Sequence, residues 1–278
     1  MNDAAAKKTD VATNKTTVTF LGTAAAVPAP GHEAASFIIN NRYLVDTGWN
    51  APLTLRVHGL DPLAVEYLFL SHCHHDHYLG LPQLLFYRAM KVPRSGSGGT
   101  MPPLRVLGPA GNVERVVERA IAFLQPDIFP EIGAALNTAV DVVSLVPGGE
   151  PYETEAFHLS TSPTHHTVAG MCCRFTDKQT GIVIAWTGDT APCPSLVDHV
   201  RGAALLIHDA TFGVQPAPTH NPYLHSGAPD AARLALAAGA GQLALIHGPE
   251  AQQEAACASA QTLFPATFWP GDGEVIIF

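Results

Sequence analysis

One short run of residues, Ser71-His72-Cys73-His74-His75-Asp76-His77, constrains the fold and chemistry of this chain more than any other feature. The run contains the pattern His-x-His-x-Asp-His and follows a short apolar segment that we predict as a buried strand. A loop with this spacing directs His72 and His74 towards one metal ion, and Asp76 and His77 towards a second. Imidazole nitrogens and carboxylate oxygens suit Zn, Mn or Fe. The run therefore predicts a metal site at the end of a strand.

Two metal ions need more donors than this loop holds, and the sequence places further donors at later strand ends. His166 follows a predicted strand at 158–162, and His247 follows one at 243–246. Asp189 lies in a Gly-Asp turn after another strand. An Asp that bridges both ions, with one further His for each, would complete a dinuclear site. Each residue alone is typical of an ordinary turn, but their order behind the histidine run favours the metal site.

Strand and helix patterns alternate along the 278 residues, which is typical of an α/β protein. Strands are predicted at 17–21, 36–39, 43–45, 67–70, 104–107, 142–146, 158–162, 171–175, 182–186, 204–207 and 243–246. Helices are predicted at 51–58, 81–90, 111–124 and 228–238. Residues 1–15 are polar and rich in small side chains, so we predict a disordered leader there. Because there is no short repeat and no compositional break, we predict one domain over 16–278. That domain has two similar halves, the second beginning at the strand 142–146.

Composition excludes several classes of protein. The chain has 15 Lys and Arg against 24 Asp and Glu, a net charge of −9, and its basic residues are scattered singly. Such a chain is poorly equipped to follow a long polyanion, so we do not expect a nucleic-acid partner. No apolar run approaches the roughly 20 residues that cross a bilayer, and the 5 cysteines do not indicate a disulfide framework. We therefore expect a cytoplasmic protein that does not bind a membrane.

Beyond these patterns, the chain resembles the metallo-β-lactamase superfamily, in the branch with ribonuclease Z, arylsulfatases and small phosphodiesterases. The resemblance covers nearly everything from Val18 onward and rests on the histidine run together with Phe20-Leu21-Gly22-Thr23-Ala24, Leu44-Val45-Asp46-Thr47-Gly48, Gly188-Asp189-Thr190 and His208-Asp209-Ala210-Thr211-Phe212. It implies a four-layer αββα sandwich with the site along one edge of the paired sheets. It also implies two divalent transition-metal ions, Zn with Mn or Fe as alternatives, held by His72, His74, Asp76, His77, His166, Asp189 and His247.

Two adjacent histidines compete for one place in that ligand set. In the family, the ligand precedes a Gly-Tyr-Arg segment by a fixed interval, and aligning Arg174 with that Arg selects His166 over His165. Here Cys172-Cys173 stand where Gly-Tyr is usual, which leaves the local packing open. Asp46 has two interpretations, as the hydrogen-bond partner of a metal-binding His or as a simple turn residue.

The resemblance implies a second catalytic pair near the C-terminal half. His225-Ser226 is similar to the Gly-His-Ser segment of this branch, whose His lies beside the scissile group. The carboxylate that orients this His corresponds to Asp209, where the family usually has the longer Glu. A His in this position would stabilise an oxyanion or protonate a leaving group. Because Asp is one methylene shorter than Glu, the sequence does not determine whether the Asp209 carboxylate reaches the His225 ring.

The function implied by the resemblance is hydrolysis of a small-molecule ester by a hydroxide that both ions activate. Asp76 would hold the water proton, and His225, oriented by Asp209, would assist the departing oxygen. Small phosphodiesters fit best, while arylsulfatase, lactonase and β-lactam hydrolase activities are alternatives because a metal site does not fix the ester. A tRNA 3′-processing endonuclease is less favoured, since the exosite arm of those enzymes typically lies between the His166-type and Asp189-type ligands.

Other classes fit the sequence less well. A non-catalytic scaffold would be expected to have lost ligands, and none is missing. Di-iron oxidoreductases of this superfamily carry a Glu where His74 stands and an attached flavin-binding domain, and the sequence has neither. A homodimer is expected from the family alone. The glycine-rich loop at 94–103 is expected to act as a lid.

Overall fold

A computed structural model describes residues 15–91, 102–136 and 140–278. Within these residues the strands form two seven-stranded mixed sheets. The first sheet contains β1 (Thr17–Gly22), β2 (Ser36–Ile39), β3 (Tyr43–Val45), β4 (Tyr67–Phe69), β5 (Leu104–Pro109), β6 (Val140–Leu145) and, from the end of the chain, β14 (Val275–Ile277). Their spatial order is β14-β1-β2-β3-β4-β5-β6, with β3 to β6 parallel.

The second sheet is built from the later strands. It contains β7 (Tyr152–Glu153), β8 (Phe157–Pro163), β9 (Met171–Asp177), β10 (Val183–Trp186), β11 (Leu205–Asp209), β12 (Gln242–Ile246) and β13 (Thr267–Phe268). The spatial order runs from β13 to β7, with β10 to β13 parallel and β7 to β10 antiparallel.

Helices cover the outer face of each sheet, which completes four layers. The described helices are α1 (Ala51–Val57), α2 (His75–Tyr78), α3 (Gly80–Lys91), α4 (Val113–Phe123), α5 (Pro130–Leu136), α6 (Leu196–His199), α7 (Ala228–Ala238) and α8 (Gln253–Gln261). One apolar cluster lies between the sheets, a second joins the first sheet to α1, α3 and α4, and a third joins the second sheet to α6, α7 and α8. The expected αββα sandwich is confirmed. None of the described helices combines the length and apolarity that crossing a bilayer requires.

Parallel strands bring the predicted donors to one edge of the sandwich. The carboxyl ends of β3, β4, β10, β11 and β12 meet there, and β8 ends at the same edge because it is antiparallel to β9. The opposite edge carries a buried polar network, in which Asp177 accepts hydrogen bonds of 2.8 Å from Thr16 Oγ1 and from Asn40 Nδ2. The two edges therefore hold different kinds of polar cluster, and only the first contains the histidines of the motif.

The predicted elements agree with the structure except at the boundary between the halves. The prediction that the strand 142–146 begins the second half is wrong, because β6 is the edge strand of the first sheet and pairs with β5. The C-terminal strand β14 also returns to the first sheet, beside β1. Residues 1–14 of the predicted leader, and residues 94–101 of the predicted lid, lie outside the described part of the chain, so the lid and the division into leader and domain stay predictions.

Aromatic rings from both sheets surround Phe157 on β8. Its side chain is fully buried, and its ring centroid lies 5.0 Å from that of Phe175 and 5.1 Å from those of Tyr43 and Tyr67. Rings from both sheets therefore meet here in edge-on and stacked contacts. Aromatic pairs of this kind stabilise a core beyond the area they bury.

We expect Phe157→Ala to lower the free energy of unfolding by about 3–5 kcal/mol, because it removes a buried ring and leaves a cavity. Chemical denaturation followed by tryptophan fluorescence measures this loss. Phe123→Ala is the matched control, since Phe123 is 74% exposed at the end of α4. A similar loss in both variants would contradict the assignment of Phe157 to the centre of the core.

Candidate functional site

The histidine run forms the connection between β4 and α3. The ring of His74 makes no capping bond although the residue is the N-cap of α2, and Asp76 and His77 lie within that single helical turn. Ser71 packs closely against Gly188, which has φ +59° and where a Cβ atom would lie 2.9 Å from the Ser71 Cβ. A glycine at this position therefore allows the Asp189 loop of the second sheet to approach the histidine run of the first.

The first group of donors consists of His72, His74, His166 and Asp189. The Nδ1 atom of His74 lies 3.2 Å from His72 Nε2 and 3.0 Å from His166 Nε2. Asp189 Oδ2 lies 3.5 Å from His72 Nε2 and 3.9 Å from His166 Nε2. Four nitrogen and oxygen atoms from both sheets thus face a common point.

The second group consists of Asp76, His77 and His247. Asp76 Oδ2 lies 3.2 Å from both His77 Nε2 and His247 Nε2. The same Asp189 Oδ2 lies 3.5 Å from His77 Nε2 and 3.4 Å from His247 Nε2. Asp189 is therefore shared between the groups, at the centre of the site, with only 4% of the residue exposed.

The chemistry of these donors fits divalent metal ions. Donor atoms on a tetrahedral shell of radius about 2.0–2.1 Å are separated by roughly 3.3–3.4 Å, close to the spacings in both groups. His77 Nε2 is buried and makes no hydrogen bond within the described structure, although carboxylate oxygens lie nearby. An unpaired buried nitrogen is costly, and a cation would satisfy it.

The carboxylate of Asp46 holds two of these histidines through buried hydrogen bonds. His77 Nδ1 donates to Asp46 Oδ2 over 2.8 Å. Ser71 Oγ also donates to Asp46 Oδ2 over 2.8 Å, and accepts from His72 Nδ1 over 3.1 Å. Both imidazoles therefore carry their proton on Nδ1 and direct Nε2 into the site. Of the two interpretations of Asp46, the geometry supports the hydrogen-bond partner.

The other rings also have a hydrogen-bond acceptor on the side away from the donor groups. His74 Nε2 donates to Thr167 Oγ1 over 3.3 Å, and His166 Nδ1 donates to the Leu224 carbonyl over 3.1 Å. His247 Nδ1 donates to Thr211 Oγ1 over 2.9 Å. Each bond places a proton on the outer ring nitrogen and turns the opposite ring nitrogen towards the site. Sequence reasoning missed Thr167, Thr211 and Leu224 because none of them forms part of the donor pattern.

Charges within the site shift the pKa values of the buried groups strongly. Burial opposes ionisation of Asp189, but the charges of His247 and His77 outweigh it and hold the pKa of Asp189 well below its ordinary value. Burial also opposes protonation of His247, but Asp189 and Asp76 raise its pKa to about 9. Burial and the neighbouring His77 lower the pKa of His72. Binding of a divalent cation would therefore displace protons from some of these rings.

His225 lies beside the donor groups and is paired with Asp209. His225 Nδ1 donates to Asp209 Oδ2 over 2.9 Å, so the shorter carboxylate still reaches the ring. Burial alone would lower the pKa of His225, but the hydrogen bond and the charge of Asp209 raise it. The His225 ring centroid is 5.0 Å from that of His166 and 5.4 Å from that of His247. The pair that sequence reasoning proposed is thus brought to the site.

Asp209 is fully occupied by donors, which explains its burial. Its Oδ1 accepts from the backbone nitrogen and hydroxyl of Thr211, and its Oδ2 accepts from His225 and the backbone nitrogens of Thr190 and Ser226. Asp209, Asp189, His225 and His247 also satisfy the spacing of a possible metal group. We assign no ion to this group because hydrogen bonds already use the Asp209 oxygens.

The structure separates the two adjacent histidines. His166 contributes Nε2 to the first donor group, whereas the side chain of His165 is exposed and its backbone binds Thr190 and Ala191. Cys172 and Cys173 are completely buried on β9, where the family usually has Gly-Tyr. Small thiols fill the core there. The geometry supports the choice of His166.

Comparison with known protein families identifies the family to which this chain belongs. The model of the anti-Pycsar protein Apyc1 family matches residues 16–226, which is more than half of the chain. The chain belongs to this family. The match includes the donor side chains from His72 to Asp189 and also His225, and it ends before His247.

Individual relatives give the same fold. Ribonuclease BN of Escherichia coli O157:H7 is 26% identical over 298 aligned positions, covering 89% of this chain and 95% of that protein. The metallo-β-lactamase fold protein YhfI of Bacillus subtilis superposes with a TM-score of 0.77 at 22% identity, covering 95% and 100% of the two chains. Human short-form tRNase Z gives a TM-score of 0.73 at 22% identity, covering 94% and 98%.

These similarities confirm the expected superfamily and branch. The chain is a metal-dependent hydrolase of the metallo-β-lactamase fold, similar in sequence to ribonucleases Z and BN. Ribonuclease BN and tRNase Z are named for RNA, whereas YhfI is named only for its fold, and a shared fold does not choose among esters.

We expect Asp46→Asn to weaken the affinity for a divalent ion ~10–100-fold, because the amide disrupts the bonds that orient His72 and His77. Asn tolerates the left-handed backbone of this position, φ +52°. Competition with a chelator measures the affinity. Asp61→Asn is the matched control, since the Asp61 carboxylate, before β4, accepts a hydrogen bond only from the nearby Leu63 nitrogen among the described residues. Equal affinities in both variants would show that Asp46 does not orient the rings.

Proposed function

We propose that this protein is a dinuclear phosphodiesterase that hydrolyses small phosphodiesters, cyclic nucleotides among them. The observation that carries the proposal is the position of Asp189 Oδ2 within 3.9 Å of ring nitrogens from both donor groups. A pair of cations roughly 3.5–4 Å apart suits an in-line displacement at phosphorus. The family is described by an action against Pycsar and not by a substrate, so the ester class belongs to the proposal.

The side chains divide into two coordination sets. One ion would be held by His72, His74, His166 and Asp189, and the other by Asp76, His77, His247 and Asp189. Such ions, when bound, supply a water of lowered pKa and positive charge for the phosphoryl oxygens. Imidazole and carboxylate donors favour Zn, with Mn or Fe as alternatives. Asp76, whose side chain is 13% exposed, would accept the proton of the attacking water.

The role proposed for His225 is assistance to the departing oxygen. Its Nδ1 is committed to Asp209, and its Nε2 has no hydrogen-bond partner among the described residues. The ring lies next to both donor groups, within 5.4 Å of two of their imidazoles. A proton held on Nε2 would therefore be available to an alkoxide or phenolate leaving the phosphorus.

The segment between His166 and Asp189 supports a compact substrate. Residues 167–188 are all described, and they contain only β9, β10 and the tight turn between them, in which the Gly181 nitrogen binds the Asp177 carbonyl over 2.8 Å. No arm that could hold a large RNA extends from these residues. The net charge of −9 also disfavours a long polyanion.

A ribonuclease activity is the second candidate function. The observation in its favour is the 26% identity to ribonuclease BN, which extends over 89% of this chain. The short hairpin and the acidic balance oppose it. Arylsulfatase, lactonase and β-lactam hydrolase activities are alternatives because the metal site alone does not fix the ester.

A panel of substrates tests the proposed function. We expect bis(p-nitrophenyl) phosphate and a cyclic nucleotide to exceed an aryl sulfate, a lactone, a β-lactam and a pre-tRNA in kcat/KM by orders of magnitude. Asp189→Ala should abolish all hydrolysis because it removes the shared donor, while Asp141→Ala, an exposed change on β6, should not. Faster turnover of a sulfate, lactone or β-lactam would overturn the ester class, and efficient pre-tRNA cleavage would favour the ribonuclease.

Two substitutions should separate metal binding from leaving-group assistance. Asp76→Ala should abolish most turnover and lower the metal content below the two ions per chain expected from the donor sets. His225→Ala should retain its metal and lose activity, typically ~10²–10⁴-fold, on a substrate with a poor leaving group. Elemental analysis and steady-state kinetics make both measurements. Normal activity of His225→Ala on such a substrate would remove its catalytic role.

A further inference from the structure

The segment that carries His225 is a tight turn held by its own side chains. Asn221 to Leu224 form this turn, with the Leu224 nitrogen bonded to the Asn221 carbonyl over 3.2 Å. Pro222 occupies the second position, where its fixed φ favours such a turn, and Asn221 occupies the first, where Asn is common. The turn therefore leads directly into His225.

The Asn221 side chain binds the backbone of His225 at two points. The His225 nitrogen donates to Asn221 Oδ1 over 3.2 Å, and Asn221 Nδ2 donates to the His225 carbonyl over 2.7 Å. The amide orientation is unambiguous, because a backbone nitrogen must meet the oxygen and a backbone carbonyl must meet the nitrogen. These two bonds fix the peptide groups on both sides of the His225 α-carbon.

The same bonds hold Leu224 in an unfavourable conformation. Leu224 has φ +57°, in the left-handed region that a residue with a Cβ atom rarely adopts. This conformation directs the Leu224 carbonyl to His166 Nδ1, 3.1 Å away. Strain at a site is retained only where surrounding contacts impose it. The Asn221 bonds to the next residue are such contacts.

The other side of His225 is fixed independently. The Ser226 nitrogen donates to Asp209 Oδ2 over 3.2 Å, and Ser226 Oγ donates to the Thr190 carbonyl over 2.7 Å. These bonds anchor the chain after His225 to the core, but they do not restrain the peptide before it. The His225 imidazole extends from Asp209 towards the donor groups. Holding the ring in this direction therefore requires a second restraint on the backbone, from the turn that precedes His225.

We propose that Asn221 is a positioning residue, which holds the His225 ring at the reacting centre by binding the His225 backbone on both sides. The inference rests on the leaving-group role proposed for His225. Sequence patterns do not single out Asn221, because Asn-Pro in a proline-rich loop indicates only a turn. Loss of a residue that orients a functional side chain typically costs ~10–100-fold in activity.

A double-mutant cycle tests the proposal at a saturating concentration of the divalent ion. The variants are Asn221→Ala, His225→Ala and the double variant, each assayed on phosphodiesters with a good and a poor leaving group. We expect Asn221→Ala to lower kcat on the poor leaving group ~10–100-fold and to change the good one much less. In the His225→Ala background, Asn221→Ala should have almost no further effect.

Asn40→Ala is the matched control for stability. Asn40 also makes two side-chain hydrogen bonds, to the Thr17 nitrogen and to Asp177, but at the edge opposite the site. It should lower the melting temperature without changing the dependence on the leaving group. An Asn221→Ala loss that is equal for both leaving groups, or that persists in the His225→Ala background, would overturn the proposal and leave the role of His225 intact. A His225→Ala variant without any leaving-group dependence would overturn both.

Discussion

The carboxylate of Asp189 is the contact on which the site depends. Its Oδ2 lies 3.4–3.9 Å from ring nitrogens of His72, His77, His166 and His247, which come from both sheets. Without this charge, the histidines would face one another across a buried space, where imidazolium groups repel. One anion therefore joins two donor groups, and it also joins the two sheets at the edge where their parallel strands end.

Two further buried carboxylates organise the groups around Asp189. Asp46, from the first sheet, orients His77 directly and His72 through Ser71. Asp209, from the second sheet, orients His225 directly and His247 through Thr211. Each sheet thus supplies one acceptor that decides which ring nitrogen carries the proton. Donor rings held in this way are preorganised for cations, and little reorganisation is left for the binding step.

The selection of a substrate lies in the connections between strands and not in the donors. The same donor geometry serves hydrolases of different esters, so the surrounding loops decide what reaches the site. In this chain, the hairpin of β9 and β10 is short, and the turn from Asn221 to Leu224 stands beside His225 and binds His166. Both features support the proposed function, in which the departing oxygen of a small ester would meet His225.

The sequence by itself determined the positions of the predicted strands and helices and of the donor residues, because periodicity is local and the spacing His-x-His-x-Asp-His lies within six consecutive residues. The four layers were implied only by the resemblance to a family. That resemblance also selected His166 over His165 and supplied His225 and Asp209. Only the tertiary structure decided that β6 and β14 belong to the first sheet, since strand pairing depends on contacts distant in sequence. It also decided which residues orient the rings. Thr167, Thr211 and Asn221 carry no pattern of their own, and they become partners of the histidines only because the folded backbone places one hydrogen-bonding group opposite another.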